Sequence, residues 1–187
     1  MSPATQEYEI LRAGSEELRI NYIVDYDAWN DSPFAWIKTN PSRTIGKIGE
    51  QMISLWVKKH GFNVRYSPDT EADRIIEGKR AEIKFSTLWD EGFYKFQQIR
   101  DQNYDIMIWL GVSPHRIHCW VLTKDEVMDL WHIKHIIKGQ HKGQEGTDTG
   151  WIKVLPAGAP YLFPSDGDLS SAIARLGELT GFTPKPL

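Results

Sequence analysis

The chain has 187 residues, 41% of them hydrophobic and 12% aromatic, enough to bury one sizeable core, so a single domain is expected over 1–187. A formal net charge of −3 argues against non-specific polyanion binding over the whole surface, and any nucleic-acid contact must then come from a local basic patch or a shaped site. No apolar run is long enough for a membrane span, and the opening residues carry no leader pattern. The single Cys119 rules out an intrachain disulfide and suits a reducing cytoplasm, where a buried inert thiol is expected.

Residues 1–43 read as an arm with a short helix near Ser15–Tyr22, followed by an aromatic stretch through Tyr26, Trp29, Phe34 and Trp36. A helix is predicted from Thr44 to His60, capped by Ser42 or Thr44 and stopped by Gly61, with Ile45, Ile48, Met52, Leu55 and Trp56 on its apolar face. Gly46 and Gly49 are poor helix formers near its start, so a strand or a phosphate is expected to approach the backbone there, with Glu50 beside it. A strand is predicted over 62–67, then a hairpin of 73–77 and 81–86 turning at Glu77-Gly78-Lys79.

That hairpin is the richest segment. Strict alternation puts Glu82 and Lys84 on one face of the second arm and Ile83 and Phe85 on the other, and the first arm returns Asp73 beside Glu82. Two carboxylates with an adjacent lysine suit a hard divalent cation and a water that must lose a proton, which is the chemistry of phosphodiester hydrolysis.

Further along, Phe93, Phe96 and Ile99 beside Lys95, Gln97, Gln98 and Arg100 read as an amphipathic helix over 91–101, placing Lys95 or Gln98 near the reacting group. Strands are predicted at 105–112 and 118–123, a short helix from Lys124, a strand at Trp151–Leu155, and a terminal helix over Asp168–Thr180 ended by Gly181. The segment 131–153 carries a net +2 and is rich in Gly, Gln, Thr and Lys, so Lys138, Gln140, His141, Lys142 and Gln144 are candidate contacts to phosphates and base edges. His132, His135 and His141 have no cysteine partner and common spacing, so zinc is not the favoured ligand.

Gly-Lys-Ile-Gly-Glu50, Gly-Phe-Asn-Val, Asp73 and Glu82-Ile-Lys84 together resemble the core of the PD-(D/E)XK nuclease superfamily, over about residues 44–124. The stretches Phe96–Arg100, Tyr104–Val112 and His118–Lys124 are similar to a subset of bacterial restriction endonucleases. The resemblance implies an α/β, restriction-endonuclease-like core with a central mixed β-sheet flanked by helices, and Mg²⁺-dependent cleavage of DNA, with Mn²⁺ able to substitute. It assigns the metal to Asp73, Glu82, the Ile83 carbonyl and Glu50, the catalytic lysine to Lys84, and DNA contacts to Lys47, Lys95 and Gln98. The family's Pro-Asp is here Ala72-Asp73, while a literal Pro68-Asp69 lies upstream. Either aspartate can serve, and Asp73 is preferred because it faces Glu82.

The catalytic core then spans about 44–124, the N-terminal arm 1–43, and a DNA-contact loop and helix 125–187. The expected protein is a cytoplasmic, sequence-specific restriction-type enzyme that acts on double-stranded DNA as a homodimer. Alternatives are a small nicking subunit with a larger recognition protein, a structure-specific repair nuclease, or a non-catalytic DNA-binding module.

Overall fold

The structure, a computed structural model, describes residues 8, 11–15, 17, 28–139, 149–162 and 167–186. Residues 11–15 and 17 are helical; of the helix expected near Ser15–Tyr22, only Ser15 and Glu17 are among the described residues.

A short helix α1 (Ala35–Lys38) leads into the long helix α2 (Ser42–Lys59). Helix α2 starts two residues before the predicted Thr44. Its N-cap is Pro41, with no side-chain cap, and not Ser42 or Thr44. Its buried stripe is Gly49, Ile53 and Val57. The predicted stripe is therefore displaced: Leu55 is 66% exposed, while Met52 and Trp56 only flank the core. The reason is Gly49, whose missing Cβ lets the helix backbone sit against a strand and sets which side turns inward.

Strands β1 (Val64–Tyr66), β2 (Arg74–Ile76), β3 (Lys79–Thr87), β5 (Ile106–Val112) and β6 (Ile117–Thr123) form one sheet in the order β1-β2-β3-β5-β6. All neighbours are antiparallel except β3 and β5, which run parallel. A mixed five-stranded sheet packed against helices agrees with the α/β core with a central mixed sheet that was expected, although a second sheet and not only helices covers its other face. Every residue of β5 is buried, as a central strand covered on both faces must be.

Ile106, Ile108, Leu110 and Val112 of β5 meet Ile53 and Val57 of α2 and Ala172, Ile173 and Leu176 of α4 (Leu169–Thr180). Helix α4 is capped by Asp168 and ends at Gly181 in the left-handed conformation, as its sequence predicts.

The opposite face of β5 presents Met107 and Trp109 to a second layer, a three-stranded sheet β4-β8-β7. Its strands are β4 (Tyr94–Ile99), β7 (Lys138–Gly139) and β8 (Gly150–Val154). Segment 91–101 is thus a strand and not the expected helix. The spacing Phe93-Phe96-Ile99 has a helical period, but Tyr94 and Phe96 alternate inward as a strand does. A register irregularity between Phe96 and Ile99, with Gln98 at φ 55°, then resets the phase so that Ile99 also turns inward. Pairing with β8, far away in sequence, overrides the local pattern.

After β6 come a short helix α3 (Lys124–Met128), closed by a Thr123–Glu126 capping box, and a π-helical turn Asp129–Ile133. Cys119 is fully buried, and burial pushes its thiol pKa up, in keeping with an inert thiol. No helix among the described residues is long and apolar enough to cross a membrane.

Candidate active site

The hairpin of β2 and β3 closes through two residues with positive φ, Glu77 at 47° and Gly78 at 82°, the pattern of a type I′ turn whose twist matches the strands it joins. That turn fixes the register Ile76↔Lys79, Ile75↔Arg80 and Arg74↔Ala81. Asp73 is the next residue, and its N–H donates to the Ala81 carbonyl at 3.0 Å. Its carboxylate reaches further along β3 and accepts from the Ile83 N–H at 2.8 Å.

Strand β3 outruns β2, which leaves part of its edge facing a cleft. In an extended strand the N–H and C=O of one residue point to the same side. The Ile83 carbonyl is therefore directed to the same edge as the N–H that binds Asp73.

Glu82 and Lys84 lie opposite Met107 and Trp109 of β5, on the face toward the second sheet. Ile83 and Phe85 point the other way, into the helical layer. This is the alternation read from the sequence. Phe85 packs where α2 has Gly49, and a Cβ there would come within 2.6 Å of three Phe85 atoms. Gly46 has open space instead. One of the two glycines therefore admits a strand, and the other faces the cleft.

Lys84 Nζ donates to Glu82 Oε1 at 2.7 Å, and both side chains are largely buried. Burial raises the Glu82 pKa above its ordinary range; the Lys84 charge opposes this, and the nearby Asp73 charge adds to it. Glu50, on α2, is raised for the same first reason, burial, with the Asp73 charge second and Arg74 opposing. Asp73 thus acts on both Glu82 and Glu50 across the cleft. Tyr104 is buried beside them, and its hydroxyl pKa is raised by burial and then by the Glu82 charge.

Arg74 is the residue the sequence did not single out. It is 6% exposed, and its guanidinium lies 3.1 Å from Glu50 Oε2. It also donates to Ser54 Oγ at 3.0 Å and to the Asp73 carbonyl at 2.7 Å, and stacks on the Tyr66 ring at 4.4 Å. A lone arginine at the start of an apolar strand was the available signal, because a buried charge demands a partner.

The cleft has a volume of about 630 Å³. Ser42, Arg43, Gly46 and Glu50 of α2 line one wall, Asp73 and Glu82–Phe85 the floor, and Gln97, Gln98, Arg100 and Gln102 the other wall. Arg43, Arg100 and Gln102 were not among the expected site residues. Gln98 reaches the cleft from the strand irregularity and not from a helix face.

Lys47 is exposed on α2, close enough to lower the Glu50 pKa. Lys95 lies in an adjoining cavity of about 450 Å³, which shares Ser42, Gly46, Phe85 and Gln97 with the cleft. Lys138 is exposed on β7 and donates to the His135 carbonyl at 2.6 Å. Gln140, His141, Lys142 and Gln144 lie outside the described residues.

Asp69 is held elsewhere. Its Oδ1 lies 2.5 Å from Arg80 and accepts from the Glu71 N–H at 2.9 Å, a self-contained turn. Arg80 and that N–H hold its carboxyl below the usual range.

Among the described residues, no group of three or more His, Cys, Asp or Glu side chains is gathered tightly enough to hold a metal unaided. The donors at the β3 edge are two carboxylates and a backbone carbonyl, all hard oxygens of the kind Mg²⁺ takes, and Mg²⁺ sites usually complete their shell with water and substrate phosphate.

No family model and no curated protein matches the chain. Among solved structures, a bacterial homing endonuclease, I-Ssp6803I, is similar, with a TM-score of 0.46 and 14% identity over 76% of this chain and 94% of that one. A likeness this remote leaves the function to be argued from the cleft.

Proposed function

We propose that the chain is a Mg²⁺-dependent endodeoxyribonuclease whose active site is the cleft between α2 and β3. The observation that carries this reading is that Asp73, held by the Ile83 N–H at 2.8 Å, lies beside Glu82, with Lys84 Nζ 2.7 Å from Glu82. The donor set fits the ion: burial, with the Asp73 charge adding to it, raises Glu82 and Glu50, and a divalent cation would offset both effects. When bound, the metal supplies Lewis acidity to a phosphoryl oxygen and lowers the pKa of a water.

The protein's own groups do the rest. Asp73, Glu82 and the Ile83 carbonyl would hold the ion, and Glu50, steadied by Arg74, would order the surrounding water. Lys84 orients the attacking water toward phosphorus. As that P–O bond forms, the bond to the 3′ oxygen breaks, leaving a 3′ hydroxyl and a 5′ phosphate. Arg43 and Arg100 on facing walls balance the developing negative charge. Mn²⁺ is expected to substitute.

Within this reading the enzyme is restriction-type and sequence-specific. It acts on double-stranded DNA as a homodimer, because one cleft cuts one strand.

The test is digestion of unmethylated phage-sized DNA with Mg²⁺ or with EDTA. Discrete Mg²⁺-dependent fragments are expected. A smear would remove sequence specificity but keep the nuclease. Nicks alone would favour a small subunit with a recognition partner. No cleavage of linear or branched DNA with Mg²⁺ or with Mn²⁺ would overturn the reading.

A further inference from the structure

We infer that the outer face of the small sheet β4-β8-β7 is a docking surface for the phosphate backbone of duplex DNA beside the cleft. Its inner face is core: Tyr94, Phe96, Ile152 and Val154 are all buried. Alternation therefore turns Lys95, Lys153 and Lys138 outward. Lys95 pairs directly with Lys153 across the β4–β8 ladder, and Lys138 pairs with Trp151 across β8–β7. Two like charges directly opposite each other cost stability in a sheet. Among the described residues none of these three lysines makes an ion pair, although the chain as a whole is acidic.

Aromatic rings hold two of the ammonium groups where carboxylates would otherwise be expected. Lys95 Nζ lies 4.8 Å from the Trp89 ring and 5.0 Å from that of Trp151, and Lys153 Nζ lies 4.0 Å from the Phe93 ring. A cation over a ring face is positioned without being neutralised, so its N–H donors stay available to an anion. Three cations without ion pairs, spread over about 10 Å across three strands, match successive backbone phosphates better than a single small anion.

The face also runs into the catalytic cleft. Lys95 and Gln97 line the cavity next to it, and Gln97 lines both. The inference rests on the nuclease reading for its choice of partner, and it adds Lys153 and the aromatic supports to what the sequence suggested.

The test is the salt dependence of binding of a labelled duplex in EDTA, where no cleavage intervenes. Each phosphate contact contributes a slope of about 0.9 to the log–log plot of affinity against salt. The triple variant Lys95→Gln, Lys138→Gln, Lys153→Gln should lose about 3 from the slope, while the corresponding triple Lys→Arg variant keeps it. A control, Lys58→Gln with Lys59→Gln at the far end of α2, should leave the slope unchanged.

An unchanged slope in the Gln triple overturns the surface, as does an equal loss per lysine in the control or failure of the unaltered chain to bind duplex. Mg²⁺-dependent cleavage is scored separately. If the slope falls as expected but nothing is cut, the surface stands and the nuclease reading fails. If DNA is cut but the slope does not move, the reverse holds.

Discussion

The backbone N–H of Ile83 donates to Oδ2 of Asp73 at 2.8 Å, so the strand that carries Glu82 also fixes the first carboxylate. The position of Asp73 is set by main chain and turn geometry, not by the reach of a flexible side chain. A site built this way keeps its shape before any ligand arrives.

Lys84 should be indispensable for cleavage and dispensable for folding. Lys84→Ala is expected to slow Mg²⁺-dependent cutting by about 10²-fold or more while duplex binding in EDTA changes little; the chain still folds, at a lower melting temperature because Glu82 loses its buried partner. Full activity in this variant would remove Lys84 from the mechanism.

The two aspartates can be separated by substitution. Asp73→Asn should lose Mg²⁺-supported cleavage, because it removes the carboxylate held against Ile83. Asp69→Asn should leave it, because Asp69 is engaged with Arg80 outside the cleft. The opposite pattern in a cleavage assay would transfer the ligand role to Asp69.

Metal and pH should be coupled. Burial raises the Glu82 pKa in the folded chain, and Glu50 moves the same way. The folded state therefore retains protons that the unfolded state has released. The stability these groups contribute is complete below the ordinary carboxylate range and is lost as pH climbs through the raised values. Mg²⁺ needs the carboxylates ionised, so it should raise the melting temperature more at about pH 8 than at about pH 5. Thermal melts with and without Mg²⁺ check this, and equal shifts at both pH values would count against a carboxylate-held ion.

Arg74→Met should destabilise the fold by about 3 kcal/mol, since it strands Glu50 in a partly buried position. Adding Glu50→Leu should recover part of that loss, because the unpaired charge is gone. Denaturant unfolding of the two variants measures the difference. A double variant no more stable than the single would mean that Arg74 acts mainly through Ser54, Tyr66 and the Asp73 carbonyl.

The two helix glycines should respond in opposite directions. Gly49→Ala drives a Cβ into Phe85 and should cost about 1–3 kcal/mol. Gly46→Ala meets nothing and should stabilise the helix by up to about 1 kcal/mol. If a phosphate approaches the Gly46 backbone, the more stable variant will also cut more slowly, which rate measurements beside unfolding curves would reveal.

The sequence alone determined the hairpin and the face on which its charged residues lie. A turn at Glu77-Gly78-Lys79 with Gly78 left-handed, and strict alternation through Glu82, Ile83, Lys84 and Phe85, are local rules, and they placed Asp73 beside Glu82. The same locality made β5, β6 and α4 legible from apolar runs and caps.

Tertiary structure decided what depends on distant partners. Segment 94–99 became a strand because β8 offered it a ladder and β5 an apolar floor. Helix α2 chose Gly49, Ile53 and Val57 as its inner stripe because Phe85 needed the space at Gly49. Arg74 found Glu50 across a gap that no spacing rule encodes, and the Lys95–Lys153 pair exists only once β4 and β8 lie side by side. Propensity and periodicity act within a few residues of a position. Burial, charge pairing and cross-strand register are settled only when the whole chain has packed.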